Sequence, residues 1–109
     1  MSPDREPVAE VRDNESAHRF EVLLDGSVAG FATYELRGGS VAILHTEVDP
    51  AFEGHGLGTT LIRGALDEIR RRGQSVLPYC PFTRSFLGRH EEYVDLVPEE
   101  QRARFGLAG

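Results

Sequence analysis

The first half of the chain alternates apolar and polar side chains with the two-residue period of β-strands. The alternation covers four runs, at residues 8–12, 19–24, 28–36 and 41–48. Asp25-Gly26 and Gly38-Gly39 are typical of the tight turns that join antiparallel neighbours. The last run opens with four consecutive apolar residues, which is typical of a strand covered on both faces. The pattern therefore predicts a meander of four antiparallel strands.

The period changes to that of an α-helix after residue 56. Apolar side chains then recur every four residues, at Leu57, Leu61, Ala65 and Ile69. Charged side chains lie off this stripe, so the spacing predicts an amphipathic helix over residues 56–72. Three arginines in the last turn suit the helix dipole, and Gly73 is a typical stop signal.

Another apolar run follows this helix, over residues 75–80. We predict a fifth strand there, and the helical crossover makes it parallel to the fourth. Pro81 favours the start of a helix that runs to His90, and Pro98 starts a last short helix. The predicted fold class is α/β (α+β), in which the antiparallel four-strand meander precedes the central helix, the parallel fifth strand and the C-terminal helices.

Composition places the chain among globular proteins with one domain. Its 109 residues, 39% apolar and 28% charged, are enough for one modest core. Residues 1–7 are polar with two prolines, which predicts a disordered tail before a single domain over residues 8–109. No apolar run is long enough to span a membrane, and residues 1–17 are too polar for a signal peptide. We therefore expect a cytoplasmic protein with no membrane partner.

Charge and residue usage exclude several classes of function. The formal net charge of −6 opposes binding to nucleic acid. The single cysteine, Cys80, excludes an internal disulfide and a cysteine-based zinc cage, and no ligand pair has the spacing of a metal motif. We therefore predict no metal site. All twelve cations are arginine, so a lysine Schiff base and a P-loop lysine are excluded. For the oligomeric state we expect a monomer or a weak homodimer.

Three glycines fall within five positions of the stretch DPAFEGHGLGTTL, directly before the predicted central helix. One interpretation is a flexible turn, since glycine-rich turns are common. The other is an anion cradle, since free amides at a helix N-terminus attract phosphate and glycine lets phosphate oxygens approach. A dinucleotide fingerprint does not fit, because Thr59 stands where its third glycine belongs and no acid ends the next strand.

The glycine stretch resembles the acetyl-CoA loop of the GNAT superfamily of N-acetyltransferases, whose pattern is Gln/Arg-x-x-Gly-x-Gly/Ala. Glu53, Gly56 and Gly58 occupy those places, and Gly54 is an additional glycine. Glu53 departs from the usual polar or basic residue, and its carboxylate adds no attraction for a diphosphate.

The resemblance extends over about residues 8–98. The segments AGFATYEL, HTEVDPAFEGHGLG, LPYCPF and RHEEYVDLV are similar to the short, stand-alone GNAT-like single-domain family. Ordinary GNAT enzymes have a helical pair between their first two strands, whereas residues 14–18 leave room only for a turn. We therefore expect an open, shallow acceptor side.

The resemblance implies acetyl-CoA as the cofactor. It places the CoA diphosphate on backbone amides of the loop and the pantetheine arm between the splayed fourth and fifth strands. Arg84 and Arg89 become candidate contacts for CoA phosphates. The cofactor-binding residues that we predict are Thr46, Val48, Glu53, Gly54, His55, Gly56, Leu57, Gly58, Thr59, Thr60 and Arg84.

Three side chains are candidates for catalysis. A lone cysteine is most often an inert core residue. Cys80, however, precedes Pro81 near a predicted helix N-terminus, which stabilises a thiolate, and the resemblance places it beside the pantetheine thiol. It is then either a nucleophile that accepts the acetyl group or the acid that protonates CoA. His45 is a candidate base, and Glu47 shares its face and either polarises it or acts through water.

The sequence leaves three functions open. The first is an N-acetyltransferase that moves an acetyl group from acetyl-CoA to an unidentified amine on a protein, a polyamine or a metabolite. The second is a non-catalytic CoA-binding module, suggested by Glu53 and the missing acceptor wall. The third is a protein-interaction domain that no longer binds the cofactor. The glycine loop, His45 and Cys80 together favour the first.

Overall fold

The computed structural model of the protein describes residues 8–107. The tail predicted for residues 1–7 lies outside the described residues, as does the predicted domain end at residues 108–109. The strands are β1 (Ala9–Asn14), β2 (Arg19–Leu24), β3 (Ser27–Arg37), β4 (Ser40–Val48) and β5 (Ser75–Pro78), and the helices are α1 (Leu57–Arg71) and α2 (Pro81–Arg89). Short 3-10 turns lie at Glu15–Ala17, Pro50–Phe52, Glu91–Leu96, Glu99–Gln101 and Ala103–Phe105.

The five strands form one sheet whose spatial order follows the sequence. β1 to β4 are antiparallel neighbours, and β5 pairs with β4 in parallel. The parallel pair arises because α1 carries the chain back along the sheet between β4 and β5. The predicted fold class, with its meander, crossover helix and parallel fifth strand, is confirmed.

Two predicted strand ends are wrong by two residues. β1 continues past residue 12, because Asp13 and Asn14 still pair with the first residues of β2. The fifth strand, predicted to reach residue 80, ends at Pro78. Proline has no amide hydrogen for a further ladder bond, and the amide of Tyr79 donates to the carbonyl of Leu77 at 3.1 Å instead.

The last short helix, predicted to start at Pro98, does begin there but is not one continuous helix. The chain forms two separate 3-10 turns there, Glu99–Gln101 and Ala103–Phe105. Gly106 adopts the left-handed conformation (φ 73°), and the Leu107 amide donates to the carbonyl of Arg102 at 2.8 Å. This reversal stops the chain before an α-helix can complete two turns.

The core lies between α1 and one face of the sheet, here called the helix face. Leu57, Leu61, Ile62, Ala65, Leu66 and Ile69 are the buried residues of α1, which confirms the predicted stripe. On the sheet, the core includes Phe20, Val22, Ala32, Val41, Ile43 and Val76. Neither helix among residues 8–107 is both long and apolar enough to cross a membrane.

The opposite face of the sheet, here called the outer face, is largely polar and exposed. Directly paired residues of a sheet share a face, so Arg12, Glu21, Phe31 and Glu47 form one row across it. The connection between β1 and β2 is only four residues long, the 3-10 turn Glu15–Ala17 followed by His18. The helical pair that the sequence lacks is therefore also missing from the fold, as predicted.

One carboxylate on the outer face is buried. Glu21 is 1% exposed and accepts hydrogen bonds from Arg12 Nε at 2.9 Å, Arg19 Nε at 2.7 Å and Asn14 Nδ2 at 3.1 Å. Burial alone would raise the pKa of Glu21, but these three donors hold that pKa below its ordinary value of 4.5. Because Arg12 and Asn14 belong to β1 and Glu21 to β2, these side-chain hydrogen bonds connect the two strands.

Candidate functional site

A bulge in β4 separates this strand from β5. Thr33 pairs with His45, but its neighbour Tyr34 pairs with Ile43, so Leu44 is an extra residue in β4. The pairing with β5 ends at the same place, because Ile43 and Pro78 are the last partners. Beyond it, residues 45–48 pair only with β3 among the described strands. Val41, Ala42 and Ile43 are buried, as predicted for a strand covered on both faces, whereas Leu44 at the bulge is 40% exposed.

Cys80 lies at the mouth of this gap. Its amide donates to the carbonyl of Ile43 at 2.9 Å, which holds the chain beside β4 after β5 has ended. Cys80 is also the N-cap residue of α2, with Pro81 in the first turn, as the sequence predicted. Its thiol is 4% exposed and lies 3.3 Å from the hydroxyl of Thr46 across the gap.

The surroundings of Cys80 favour its thiolate. Burial raises the pKa of the thiol, since it disfavours the charged form. The Thr46 hydroxyl and the amides of Thr83 and Phe82 oppose this, together with the Thr83 hydroxyl, and they hold the pKa of Cys80 below its ordinary value of 9.0. These amides belong to the first turn of α2, where N–H groups have no partner inside the helix.

The Thr83 hydroxyl has an additional property. Thr83 is fully buried, and within the described part of the chain its Oγ1 forms no hydrogen bond that meets ordinary geometric limits. A buried polar atom without a partner costs stability unless a ligand or solvent satisfies it. The start of α2 therefore has a buried polar atom beside the thiol and available for another partner.

His45 and Glu47 lie on the other side of β4. His45 Nε2 is 3.2 Å from Glu47 Oε1, and their side chains are 58% and 60% exposed. Both project from the outer face, because they pair with Thr33 and Phe31, whereas Thr46 pairs with the buried Ala32 on the helix face. The structure therefore brings His45 and Glu47 together, as predicted, but separates them from Cys80 by the thickness of the strand.

A shallow depression adjoins Glu47 on the outer face. It has a volume of about 610 Å³ and is lined by Arg19, Val28, Ala29, Gly30, Phe31, Glu47, Val48, Asp49 and Pro50. A second groove of about 630 Å³ lies between β1 and one side of α1, but none of the three candidate catalytic residues lines it. Neither depression is lined by Cys80, so we locate the candidate site at the β4–β5 gap, where its thiol lies.

The glycine loop leads from β4 directly into α1. Gly54 (φ 90°) and Gly56 (φ 63°) adopt the left-handed conformation, and Gly56 is the N-cap residue. No side chain caps this end of α1 within residues 8–107. The first amide to donate along the helix is that of Thr60, to the carbonyl of Gly56 at 3.1 Å. The amides of residues 57–59 are therefore the free donors of a helix N-terminus.

Gly58 is a glycine for a different reason. Its φ lies in the ordinary range, but a methyl group on Gly58 would be only 2.8 Å from Cζ of Phe82. The ring of Phe82 thus packs against the first turn of α1. This contact joins the start of α2 to the start of α1, so both helix N-termini lie at the same end of the β4–β5 gap.

The other predicted loop residues differ in exposure. Glu53 and His55 are exposed with Gly54, while Thr59 and Thr60 are half-buried. The side chain of Leu57 is 3% exposed in the core, so only its backbone amide faces a possible ligand. Arg84 is half-buried on α2, and its role in phosphate binding stays a prediction.

Two residues of the site were missed by the sequence analysis. Phe82 belongs to the segment LPYCPF, but nothing in a linear pattern shows that its ring reaches Gly58. Thr83 follows Cys80 by three residues, and a buried threonine near a helix start has no distinctive sequence signal. Thr46 was predicted as a cofactor-binding residue, but the sequence did not indicate that its hydroxyl contacts the thiol.

A sheet that opens between β4 and β5 beside an uncapped helix N-terminus is the arrangement expected for the GNAT class. The sequence profile of the family described as GCN5-related N-acetyl-transferase matches residues 19–96. This match covers well over half of the chain, so the chain belongs to that family. No curated protein sequence matches the chain significantly.

Solved structures show similarity over part of the chain. The ribosomal-protein-S18-alanine N-acetyltransferase from Escherichia coli is 27% identical, with 53% of this chain and 38% of that chain aligned and a TM-score of 0.49. Nourseothricin acetyltransferase is 22% identical, with 64% of this chain and 56% of that chain aligned and a TM-score of 0.43. The aligned part is thus less than two thirds of either solved chain.

Proposed function

We propose that the protein is an N-acetyltransferase that moves an acetyl group from acetyl-CoA to an amine. The observation that carries this proposal is the convergence of two helix N-termini on one gap in the sheet. The start of α1 offers free amides, and the start of α2 offers the Cys80 thiol beside Thr46. Family membership over residues 19–96 supports the same reaction class.

The diphosphate of CoA is proposed to bind the amides at the start of α1. The left-handed Gly54 and Gly56 keep this end free of side chains, and the helix dipole favours an anion there. Glu53 is exposed beside the loop and adds negative charge. The affinity must therefore come from the backbone donors and from a cation such as Arg84.

The acetyl thioester is proposed to lie in the β4–β5 gap near Thr46 and Cys80. The edge of β4 that faces this gap has no partner strand among residues 8–107, so backbone groups near Thr46 and Val48 are placed to hold the pantetheine arm. Donors that stabilise a Cys80 thiolate also suit the thiolate that leaves when the thioester breaks.

The amine is proposed to approach from the outer face. Its nitrogen bonds to the acetyl carbon, the carbon–sulfur bond breaks, and the electron pair of that bond leaves on the CoA sulfur. The proton lost by the amine passes to His45, which Glu47 supports at 3.2 Å, or reaches Glu47 through water. With no helical pair over this face, the amine site is open, and the net charge of −6 favours a cationic amine.

Two routes follow for Cys80. As a nucleophile, its thiolate exchanges with the CoA sulfur and carries the acetyl group as a second thioester before the amine attacks. As an acid, its thiol gives a proton to the departing CoA thiolate. The lowered pKa of Cys80 supports the first route, and its separation from His45 is compatible with either.

Calorimetric titration with acetyl-CoA and with CoA tests the binding step. We expect saturable binding by the wild-type chain and weaker binding by Gly54→Ala, because that loop glycine has φ 90°. Gly26→Ala is the matched control, since Gly26 has a similar φ of 85° in the β2–β3 hairpin. The proposal is wrong if the wild-type chain shows no binding at high micromolar ligand.

Intact-mass spectrometry after incubation with acetyl-CoA tests the role of Cys80. A nucleophilic Cys80 predicts one added acetyl group that disappears in Cys80→Ser. An unmodified mass together with turnover of an amine points to direct transfer.

A non-catalytic CoA-binding module is the second candidate, favoured by the exposed Glu53 carboxylate and the uncovered outer face. It predicts CoA binding without turnover of any amine in a broad panel.

A further inference from the structure

Phe82 is the aromatic residue that joins the two parts of the candidate site. Its side chain is 38% exposed, and it lies between the start of α2 and the start of α1. Its ring contacts Gly58 so closely that a methyl group there would be 2.8 Å from Cζ and 3.3 Å from Cε2. Glycine weakens a helix, so its use at this position is explained by the space that the ring needs.

The backbone of Phe82 lies beside the Cys80 thiol, while its ring lies against Gly58. It follows Cys80 by two residues, and its amide is one of the donors that lower the pKa of Cys80. From this point its side chain reaches the first turn of α1, where the free amides are. A ligand with its anionic end on those amides and its reactive end at Cys80 must therefore pass Phe82.

A second observation indicates that this path accepts a ligand. Thr83 is fully buried beside Cys80, and its Oγ1 forms no hydrogen bond of ordinary geometry among residues 8–107, although this hydroxyl contributes to the lowered pKa of the Cys80 thiol. The path thus runs from free amides, past an exposed aromatic ring, to a thiol beside an unsatisfied hydroxyl. Such a sequence of groups suits an arm that is apolar along its length and polar at its end.

We infer that Phe82 is a positioning residue whose ring forms the wall for the linear arm between the diphosphate and the thioester. This inference rests on the proposed function. The ring guides the arm toward the gap between Thr46 and Cys80, and Gly58 keeps the ring in that place. The ring has no hydrogen-bond donor to offer the diphosphate, so its loss should weaken binding of the intact cofactor more than binding of fragments that lack the arm.

The test compares two probes, CoA and ADP, by calorimetric titration of the full chain. ADP keeps a diphosphate and lacks the arm. For Phe82→Ala we expect the affinity for CoA to fall about tenfold, because an apolar contact of part of a ring is lost. The affinity for ADP should stay within about twofold, since its phosphates bind backbone amides. A general loss of structure would weaken both probes alike.

Three further variants sharpen the comparison. Phe82→Leu keeps apolar bulk, so we expect a smaller loss of CoA affinity than in Phe82→Ala and an unfolding temperature nearer the wild type. Gly58→Ala should weaken CoA binding by displacing the ring, and it should add no further loss in the Phe82→Ala background. Leu36→Ala is the control, since Leu36 is a 55% exposed apolar residue at the far end of β3.

The outcomes separate this inference from the proposed function. If the wild-type chain binds neither acetyl-CoA nor CoA, the proposed function fails and the role of Phe82 fails with it. If the wild-type chain binds CoA and Phe82→Ala or Phe82→Leu binds it equally well, only the role of Phe82 is overturned. Equal losses for CoA and ADP in folded Phe82→Leu would also overturn it.

Discussion

The hydroxyl of Thr46 lies 3.3 Å from the sulfur of Cys80, across the gap where β4 and β5 part. The two residues are 34 positions apart in the chain. Thr46 faces the helix face because it pairs with Ala32, and Cys80 reaches it because α2 begins directly after β5. This contact gives the thiol, which is otherwise part of the buried core, a polar neighbour at the β4–β5 gap.

Removing this hydroxyl should raise the pKa of Cys80. Thr46→Val keeps the shape of the side chain and deletes one of the donors that hold the thiol below its ordinary pKa of 9.0. Because Cys80 is the only cysteine, the ultraviolet absorbance of the thiolate reports on it alone. We expect the titration midpoint to move to higher pH in Thr46→Val and to stay in place in Thr33→Val, which alters the outer face. An unchanged midpoint would contradict the role of Thr46.

The glycine at the start of α1 should be more important for stability than a glycine inside α2. Gly56 has a φ of 63°, so Gly56→Ala should destabilise the protein by about 1–2 kcal/mol. Gly88 has an ordinary φ, and a methyl group there would meet no other part of the described chain within 4 Å, so Gly88→Ala should stabilise the protein by about 0.5–1 kcal/mol. Urea unfolding of both variants measures the two changes, and equal effects would show that the conformation of Gly56 is not restrictive.

The buried carboxylate of Glu21 should make stability depend on acid pH. Its pKa in the folded protein lies below the ordinary value of 4.5, so its contribution is fully present above pH 4.5 and is lost as the pH falls through the folded-state pKa. Glu21→Gln should therefore cost about 1–3 kcal/mol at pH 7 and much less near pH 3.

The control for this prediction is Glu35→Gln. The carboxylate of Glu35 is 57% exposed and, within residues 8–107, pairs only with Arg37 on the surface. Chemical unfolding at several pH values compares the two variants with the wild type. A difference between Glu21→Gln and the wild type that stays constant down to pH 3 would count against the assignment.

The close packing of α1 on β1 should be visible in a double-mutant cycle. A methyl group on Gly64 would be 2.7 Å from the side chain of Val11, so Gly64→Ala should destabilise the protein by about 1–3 kcal/mol. Val11→Ala removes Cγ1 and Cγ2, two of the three atoms that this methyl group would meet, and leaves Cβ at 2.7 Å, so it relieves part of the clash. The double variant should therefore be more stable than the sum of the single effects predicts, and simple additivity would show that the two elements are not in tight contact.

Local pattern was enough to predict the order and type of the main elements. The two-residue period, the turn pairs and the four-residue stripe are each set by the side chains of one segment and by what that segment must bury. The parallel orientation of β5 followed from the crossover helix, which topology strongly restricts. The predicted β2 agrees with the structure at both ends, because turn residues bound it on each side.

The candidate site was predicted only in its parts. The sequence indicated the glycine loop, Cys80 before a helix, and a histidine and a glutamate on one strand face. It did not indicate that Cys80 and His45 lie on opposite sides of β4, since the bulge at Leu44 and the register with β3 decide this. Nor did it indicate that Gly58 leaves room for the ring of Phe82, because that contact joins residues from two different helices.

What the sequence by itself determined is therefore the succession of strands and helices, the family resemblance and the types of reactive group. What the tertiary structure decided is the relation between these groups: Thr46 beside Cys80, Phe82 against Gly58, and Glu47 with His45 on the outer face. The physical reason is that periodicity reports the burial of each segment, whereas register, bulges and helix docking arise from packing between segments far apart in the chain.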